Sequence, residues 1–271
     1  MIKQLIENNR RLRIEYNNLI KSCDENDLVF LKIIEQYFSD YCAFYNLSPA
    51  VVSAKYQQFI DQYLSDFKKF IETGKYPYEL NQKMDFDRVT YDIALILSVF
   101  FTPVRFSIFK ETINFLTKST GTILIIGVGA AMELELLDKL FPHKKVDAYD
   151  ISVSDFVKSR FNSSMLHEKE FTFSEKQKFD SVLIIELLEH LSKPYEFIKN
   201  CATCLHNKGI LVCTTASNMP QFDHLYNFHT DNFEKNISAD FFVTEKLVLK
   251  HKLINPVLDS YNTFYILEKI N

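Results

Sequence analysis

The apolar residues follow two different periods. Up to about residue 115 they recur every three or four positions, and from Thr120 they gather into short continuous runs separated by amphipathic stretches. In the first region Tyr56, Phe59, Ile60, Tyr63, Leu64, Phe67, Phe70 and Ile71 mark one face of a helix. Ser48-Pro49 ahead of them offers a capping hydroxyl and then a proline at the first helical position, where an N–H would have no intrahelical partner. Gly74 supplies the C-terminal stop. The same spacing in Phe30 to Phe44 and in Val89 to Phe101 predicts an N-terminal α-helical region over 1–115, of four or five helices. Its aromatic residues are expected in the core; the functional alternative is that some close over a substrate, as a lid that sets specificity.

In the second region the nearly continuous runs Thr122 to Ile126, Lys145 to Tyr149, Ser181 to Ile185 and Ile210 to Thr215 read as central parallel strands. Helices fill the gaps at Ala131 to Leu140 and Tyr195 to Leu205. Strand and helix in alternation predict an α/β fold, a doubly wound Rossmann-like sheet over 116–271. Phe241 to Lys250 and Thr263 to Glu268 are expected to pair as an antiparallel hairpin at one edge.

Bulk composition narrows the partners. With 47% apolar residues the chain can bury a large core, and a formal net charge of −4 offers no general attraction to nucleic acid or to an acidic membrane. A small-molecule ligand is the better expectation. The charged N-terminal decapeptide has no signal-peptide h-region, and the longest apolar stretch, Ile93 to Phe101, is far short of the ~20 residues of a spanning helix. A cytoplasmic protein without a membrane span is expected. Five irregularly spaced cysteines fit reduced thiols, and the single C-x-x-C at Cys201 and Cys204 suits two core residues one helical turn apart. Oligomeric state is not legible.

The candidate chemistry begins with glycine. The chain has only five, and two stand as Gly127-Val128-Gly129 directly after the first strand. In a doubly wound sheet this turn approaches a bound cofactor most closely, and Asp150, ending the next strand, is placed to accept hydrogen bonds from ribose hydroxyls. Dinucleotide binding expects G-x-G-x-x-G, whose third glycine would fall at Met132; the G-x-G-x-G of adenosylmethionine sites puts Ala131 there, a tolerable replacement. The spacing favours the methyl donor over NAD.

The block Ile123 to Ala131, then Asp150-Ile151-Ser152, then Phe179 to Pro194 with Glu186-Leu187-Leu188-Glu189-His190-Leu191, then Leu205 to Val212, resembles the class I S-adenosylmethionine-dependent methyltransferases. The E-x-x-E-H-L segment is most similar to the group that includes the ubiquinone-pathway O-methyltransferases. The resemblance implies that Gly127 and Gly129 line the methionine part of the cofactor, with Ala131 and Glu186 beside it. It also implies that Asp150 holds the ribose and that Ile151 packs on the adenine; the adenine edge would be read near Thr172 or Phe173. Two departures stand out. Ile125 replaces the acid usual two residues before the first glycine, and Lys208 replaces a usual glycine.

Glu186, Glu189 and His190 carry the candidate catalysis. His190, just past the fourth strand and with an ordinary pKa of about 6.5, is the expected general base, with Glu189 beside it; the structural alternative is that Glu189-His190 caps the next helix. A metal set is also open: Glu186, Glu189 and His190 with His224, which the resemblance aligns with a ligand of the metal-dependent small-RNA ribose methyltransferases, would take Mg²⁺ or Mn²⁺. His229 is expected at the surface. The leading expectation is a methyltransferase acting on a small or medium metabolite. The alternatives are RNA ribose 2′-O-methylation, aminocarboxypropyl transfer, and a non-catalytic cofactor-binding domain.

Overall fold

The computed structural model describes residues 1–80, 86–161, 165–174, 176–228, 230–251 and 259–270. Its N-terminal part is six α-helices: α1 (Ile2–Asn8), α2 (Arg10–Ser22), α3 (Glu25–Phe44), α4 (Pro49–Thr73), α5 (Arg88–Phe101) and α6 (Pro103–Lys118). The Ser48 hydroxyl caps α4 through the Val51 amide, and Gly74 ends it with φ 69°. One helix more than expected is present because Thr102-Pro103, which reads as the end of α5, is also the start of α6. The two helices bend by 88° there, and proline sits where a helix start tolerates it. α5 packs against α2, α3, α4 and α6, with Ile93, Ile96 and Leu97 fully buried. Among the described residues no single helix is long and apolar enough to cross a membrane.

Seven strands follow among the described residues: β1 (Thr122–Ile126), β2 (Lys145–Asp150), β3 (Leu166–Glu168), β4 (Phe179–Ile184), β5 (Leu205–Ser217), β6 (Phe241–Lys250) and β7 (Tyr261–Lys269). They form one sheet in the order β3-β2-β1-β4-β5-β7-β6, parallel except for β7, which runs antiparallel between β5 and β6. The intervening helices are α7 (Met132–Leu140), α8 (Asp155–Arg160), α9 (Pro194–Cys204) and α10 (Thr230–Ile237). Two apolar clusters cover the sheet: one is shared with the N-terminal helices and α7, the other is built on α9, Phe228, Phe233 and Tyr265. Both faces are therefore dry, which is why the central strands read as unbroken apolar runs. Strand order reverses between β1 and β4, and the carboxyl ends of those strands open the crevice where ligands bind in such sheets.

Candidate functional site

β1 leads straight into the glycine turn, where Gly127 and Gly129 take φ of 80° and 55°, the left-handed region that side chains resist. The turn is held by Asp150. Its Oδ2 accepts from the amides of Val128 and Gly129 at 2.8 and 2.9 Å, and its Oδ1 accepts from Ser152 at 3.0 Å. One carboxylate thus fixes the loops after β1 and β2, and since an ionised carboxyl has about four acceptor positions it retains capacity for a ribose hydroxyl. Ala131 is left-handed as well, φ 59°, and wholly buried as the residue preceding α7, so its part is to shape the turn. Ile151, next to Asp150, is 79% exposed, an unusually open apolar surface beside the loop. Thr172 and Phe173 lie past β3; Phe173 packs edge-on to Phe171 and Phe197.

The N-terminal helices are fastened onto this turn. Arg88 of α5 donates to the carbonyls of Gly129 and Ser152 at 2.7 and 2.8 Å, and its Nε to buried Asp92 at 2.7 Å. Tyr37 of α3 donates to the Ala130 carbonyl at 2.7 Å. A Cβ added at Gly129 would lie 3.2 Å from Leu95 of α5, and one at Gly127 would lie 3.1 Å from the Leu187 side chain. The aromatic residues of this region differ in what they touch. Tyr37, Phe38, Tyr41 and Phe100 are core, whereas Tyr63 and Tyr91 reach the loop after β5, touching Met219 Sδ at 4.0 Å and Asp223 Oδ2 at 3.2 Å.

Across the crevice, past β4, Glu186 is left-handed at φ 51°, an uncommon conformation for a residue with a Cβ. Its amide donates to Thr214 Oγ1 at 2.6 Å, while its carboxylate takes Arg105 Nη1 at 2.6 Å and Asn262 Nδ2 at 3.0 Å. Burial works against its charge, but Arg105, the Thr214 hydroxyl and the nearby His224 together outweigh it and hold the carboxyl below its usual range. A short 3₁₀ turn, Leu188–His190, follows. Glu189 is 1% exposed, its Oε2 has no hydrogen-bond partner among the described residues, and burial with the nearby Glu186 charge pushes its pKa up to about 8.

His190 donates Nδ1–H to the Asp223 carbonyl at 3.0 Å, the tautomer that leaves Nε2 with the lone pair. Burial lowers its pKa, yet Asp223, through its charge and its carbonyl, together with the carboxyls of Glu189 and Glu186 more than compensates, so it lies above the ordinary value. His224 bonds the Met219 carbonyl through Nδ1 at 2.6 Å, and burial takes its pKa down to about 4. The two rings stand 4.9 Å apart, and one ligand atom from each of Glu189, His190 and His224 falls within 4.8 Å of the others. Glu186, the fourth member of the expected metal set, is turned to Arg105 and Asn262. His229 lies outside the described residues. Phe228 is core at 1% exposure, and Tyr226 is half-buried against it. Arg88, Arg105 and Asn262 carried no local signal, since each acquires its role only from a partner distant in sequence.

No curated protein matches the chain in sequence. Among solved structures, the N-methyltransferase NodS from Bradyrhizobium japonicum WM9, in complex with S-adenosylhomocysteine, is 15% identical with a TM-score of 0.51, covering 72% of this chain and 98% of that one. The pyocyanin biosynthetic protein PhzM is 11% identical with a TM-score of 0.54, covering 81% of this chain and 72% of its own. At these identities the likeness is one of fold. The family described as the methyltransferase domain matches residues 104–247, from the start of α6 into β6. With more than half of its length matched, and with the glycine turn, Asp150 and Glu186 all inside the match, the chain belongs to the methyltransferase-domain family.

Proposed function

We propose that this methyltransferase moves the methyl group of S-adenosylmethionine to a small or medium-sized metabolite, which is seated between the N-terminal helices and the loop after β5. The observation that carries this reading is the left-handed glycine turn tied to the Asp150 carboxylate, with Leu187, between Glu186 and the Glu189-His190 turn, packed against Gly127. The turn fits the cofactor: glycine keeps side chains off the methionine path, Asp150 has acceptor capacity for the ribose, and exposed Ile151 suits the adenine face. NodS, an N-methyltransferase holding S-adenosylhomocysteine, and PhzM, a pyocyanin biosynthetic protein, support the donor and the small-molecule class of acceptor. The E-x-x-E-H-L group supplies the finer assignment.

The sulfonium donor is already activated, so alignment contributes more than proton transfer, about 7–11 kcal/mol against the 10²–10⁴-fold typical of a positioned base. His190 serves as that base through Nε2, with Asp223 and Tyr91 fixing its ring from the other side. His190→Gln is expected to lower kcat by about 10²–10⁴-fold and to remove an acid limb from the pH–rate profile. Because the His190 pKa is raised, the native rate should fall as pH drops through a midpoint above 6.5. The discriminating experiment identifies the sulfur product formed from S-adenosylmethionine with a panel of small acceptors. S-adenosylhomocysteine supports methyl transfer, methylthioadenosine would mean aminocarboxypropyl transfer, and neither product would mean a binding domain.

The cluster of Glu189, His190 and His224 favours a second reading, in which a divalent ion is held there. Both imidazoles give Nδ1–H to backbone carbonyls, as metal-ligating histidines do, and Glu189 Oε2 is buried with no hydrogen-bond partner among the described residues. Such an ion would act as a Lewis acid on the acceptor oxygens, and two nitrogen donors suit Mn²⁺ better than Mg²⁺. Calorimetry should then show Mn²⁺ binding to the native protein that His224→Ala abolishes; no heat from the native protein removes this reading and leaves His190 as the base.

A further inference from the structure

The crevice lacks a carboxylate at the end of β1, where Ile125 is apolar and 5% exposed. A charged pair stands on its other wall. Arg105, in the first turn of α6, reaches Glu186 with Nη1 2.6 Å from Oε2, and the two side chains are 20% and 18% exposed. The pair is held firmly on the Glu186 side: Asn262 takes Oε1, Thr214 takes the backbone amide, and the backbone itself is left-handed. Its location follows from geometry: Leu187, the next residue, lies against Gly127, and Arg105 is held 2.6 Å from Glu186. The guanidinium and the carboxylate therefore sit beside the turn that lines the methionine end of the cofactor.

A half-buried ion pair contributes little net stability, because desolvation consumes most of the Coulomb gain. Strained backbone at a crevice is a poor way to stabilise a fold and a common mark of ligand contact. The pair also has the shape of a complement: one cationic fork and one carboxylate, self-satisfied when empty, opposite in sign to the two ends of an α-amino acid. We propose that Arg105 and Glu186 recognise the α-amino-acid end of S-adenosylmethionine, the pair parting so that Arg105 receives the α-carboxylate and Glu186 the α-ammonium. The exchange conserves charge pairing on both sides, since two ion pairs replace one internal pair and one solvated zwitterion. Arg105 suits the role because its planar fork can bind a carboxylate through two parallel N–H donors. Glu186 then does from β4 what an acid at position 125 would do from β1. The proposal rests on the reading of this crevice as the S-adenosylmethionine site.

The test separates that reading from the proposal with two ligands. S-adenosylhomocysteine carries the amino-acid end, and 5′-methylthioadenosine keeps the adenosine and thioether without it. By calorimetry the native protein should bind the former more tightly. Arg105→Met and Glu186→Gln should each weaken S-adenosylhomocysteine by about 10- to 100-fold, the value of one or two charge-assisted hydrogen bonds, while 5′-methylthioadenosine binding, which reports an intact site, changes by less than about twofold. Arg105→Lys, which keeps the charge without the fork, should recover part of the loss. S-adenosylhomocysteine affinity unchanged in Arg105→Met, or both ligands weakened alike, overturns the proposal; a native protein that binds neither ligand overturns the cofactor reading on which it stands.

Discussion

Arg88→Met is expected to lower stability by about 3–5 kcal/mol, the usual cost of removing one partner from a buried ion pair. The reason is Asp92, which is fully buried on α5 with Arg88 Nε 2.7 Å from Oδ1 and the Tyr41 hydroxyl 3.2 Å from Oδ2. Burial already raises the Asp92 pKa, and Arg88 is the largest influence holding it down. Without the guanidinium the native state takes up a proton more readily than the unfolded chain, so the variant should regain stability as pH is lowered through that raised pKa and lose it as pH rises. The same side chain grips the Gly129 and Ser152 carbonyls. Affinity for S-adenosylhomocysteine should therefore fall along with stability. Urea unfolding at pH 5 and pH 8, with and without the ligand, measures both parts. Arg88→Met/Asp92→Asn, which strands no charge, should return most of the stability while leaving the glycine turn unlatched. A loss below about 1 kcal/mol in the single variant, at the level of an exposed pair, would mean that the contact is not structural.

This latch shows where sequence reading ends. Gly127, Gly129 and Asp150 are legible because a strand, a glycine turn and a strand-terminal acid are local patterns, and the central strands are legible because two covered faces make them continuously apolar. β3 is hidden because it spans only Leu166–Glu168 at the sheet edge, too short for any period to show. β5 begins earlier than its apolar run because His206-Asn207-Lys208-Gly209, with the composition of a loop, is carried within the strand, Lys208 at φ 60° and the register with β4 shifted. α6 is masked by the proline that starts it. Glu186, Glu189 and His190 could be nominated together since they share one short turn, and His224 joins them through the family resemblance; that Glu186 faces Arg105 could not be read, because nothing near either residue announces its partner. The composition of the helical region allowed both core and lid. The fold divides those aromatic residues by the helix face they occupy, Tyr37 and Tyr41 inward and Tyr63 and Tyr91 toward Asp223 and Met219.

Asp150→Ala is expected to weaken S-adenosylhomocysteine by at least about 100-fold, equivalent to some 2.7 kcal/mol. Two losses combine. The carboxylate is the acceptor for three backbone amides, those of Val128, Gly129 and Ser152, and charge-assisted bonds of this kind are worth roughly 1.5–3 kcal/mol each before relaxation. Without them a turn with Gly127 at φ 80° and Gly129 at φ 55° has little to keep it in one shape. The acceptor proposed for the ribose goes as well. Asp150→Asn should not rescue, because Oδ1 and Oδ2 both accept from N–H groups and an amide must present its own NH₂ to one of those donors. Ligand-induced stabilisation is the sensitive readout. At 100 times the native dissociation constant, S-adenosylhomocysteine should stabilise the native protein by about 2.7 kcal/mol and either variant by less than about 0.5 kcal/mol. An Asp150→Asn protein that retains the full ligand-induced shift would show that the turn holds itself and that the ribose is bound elsewhere.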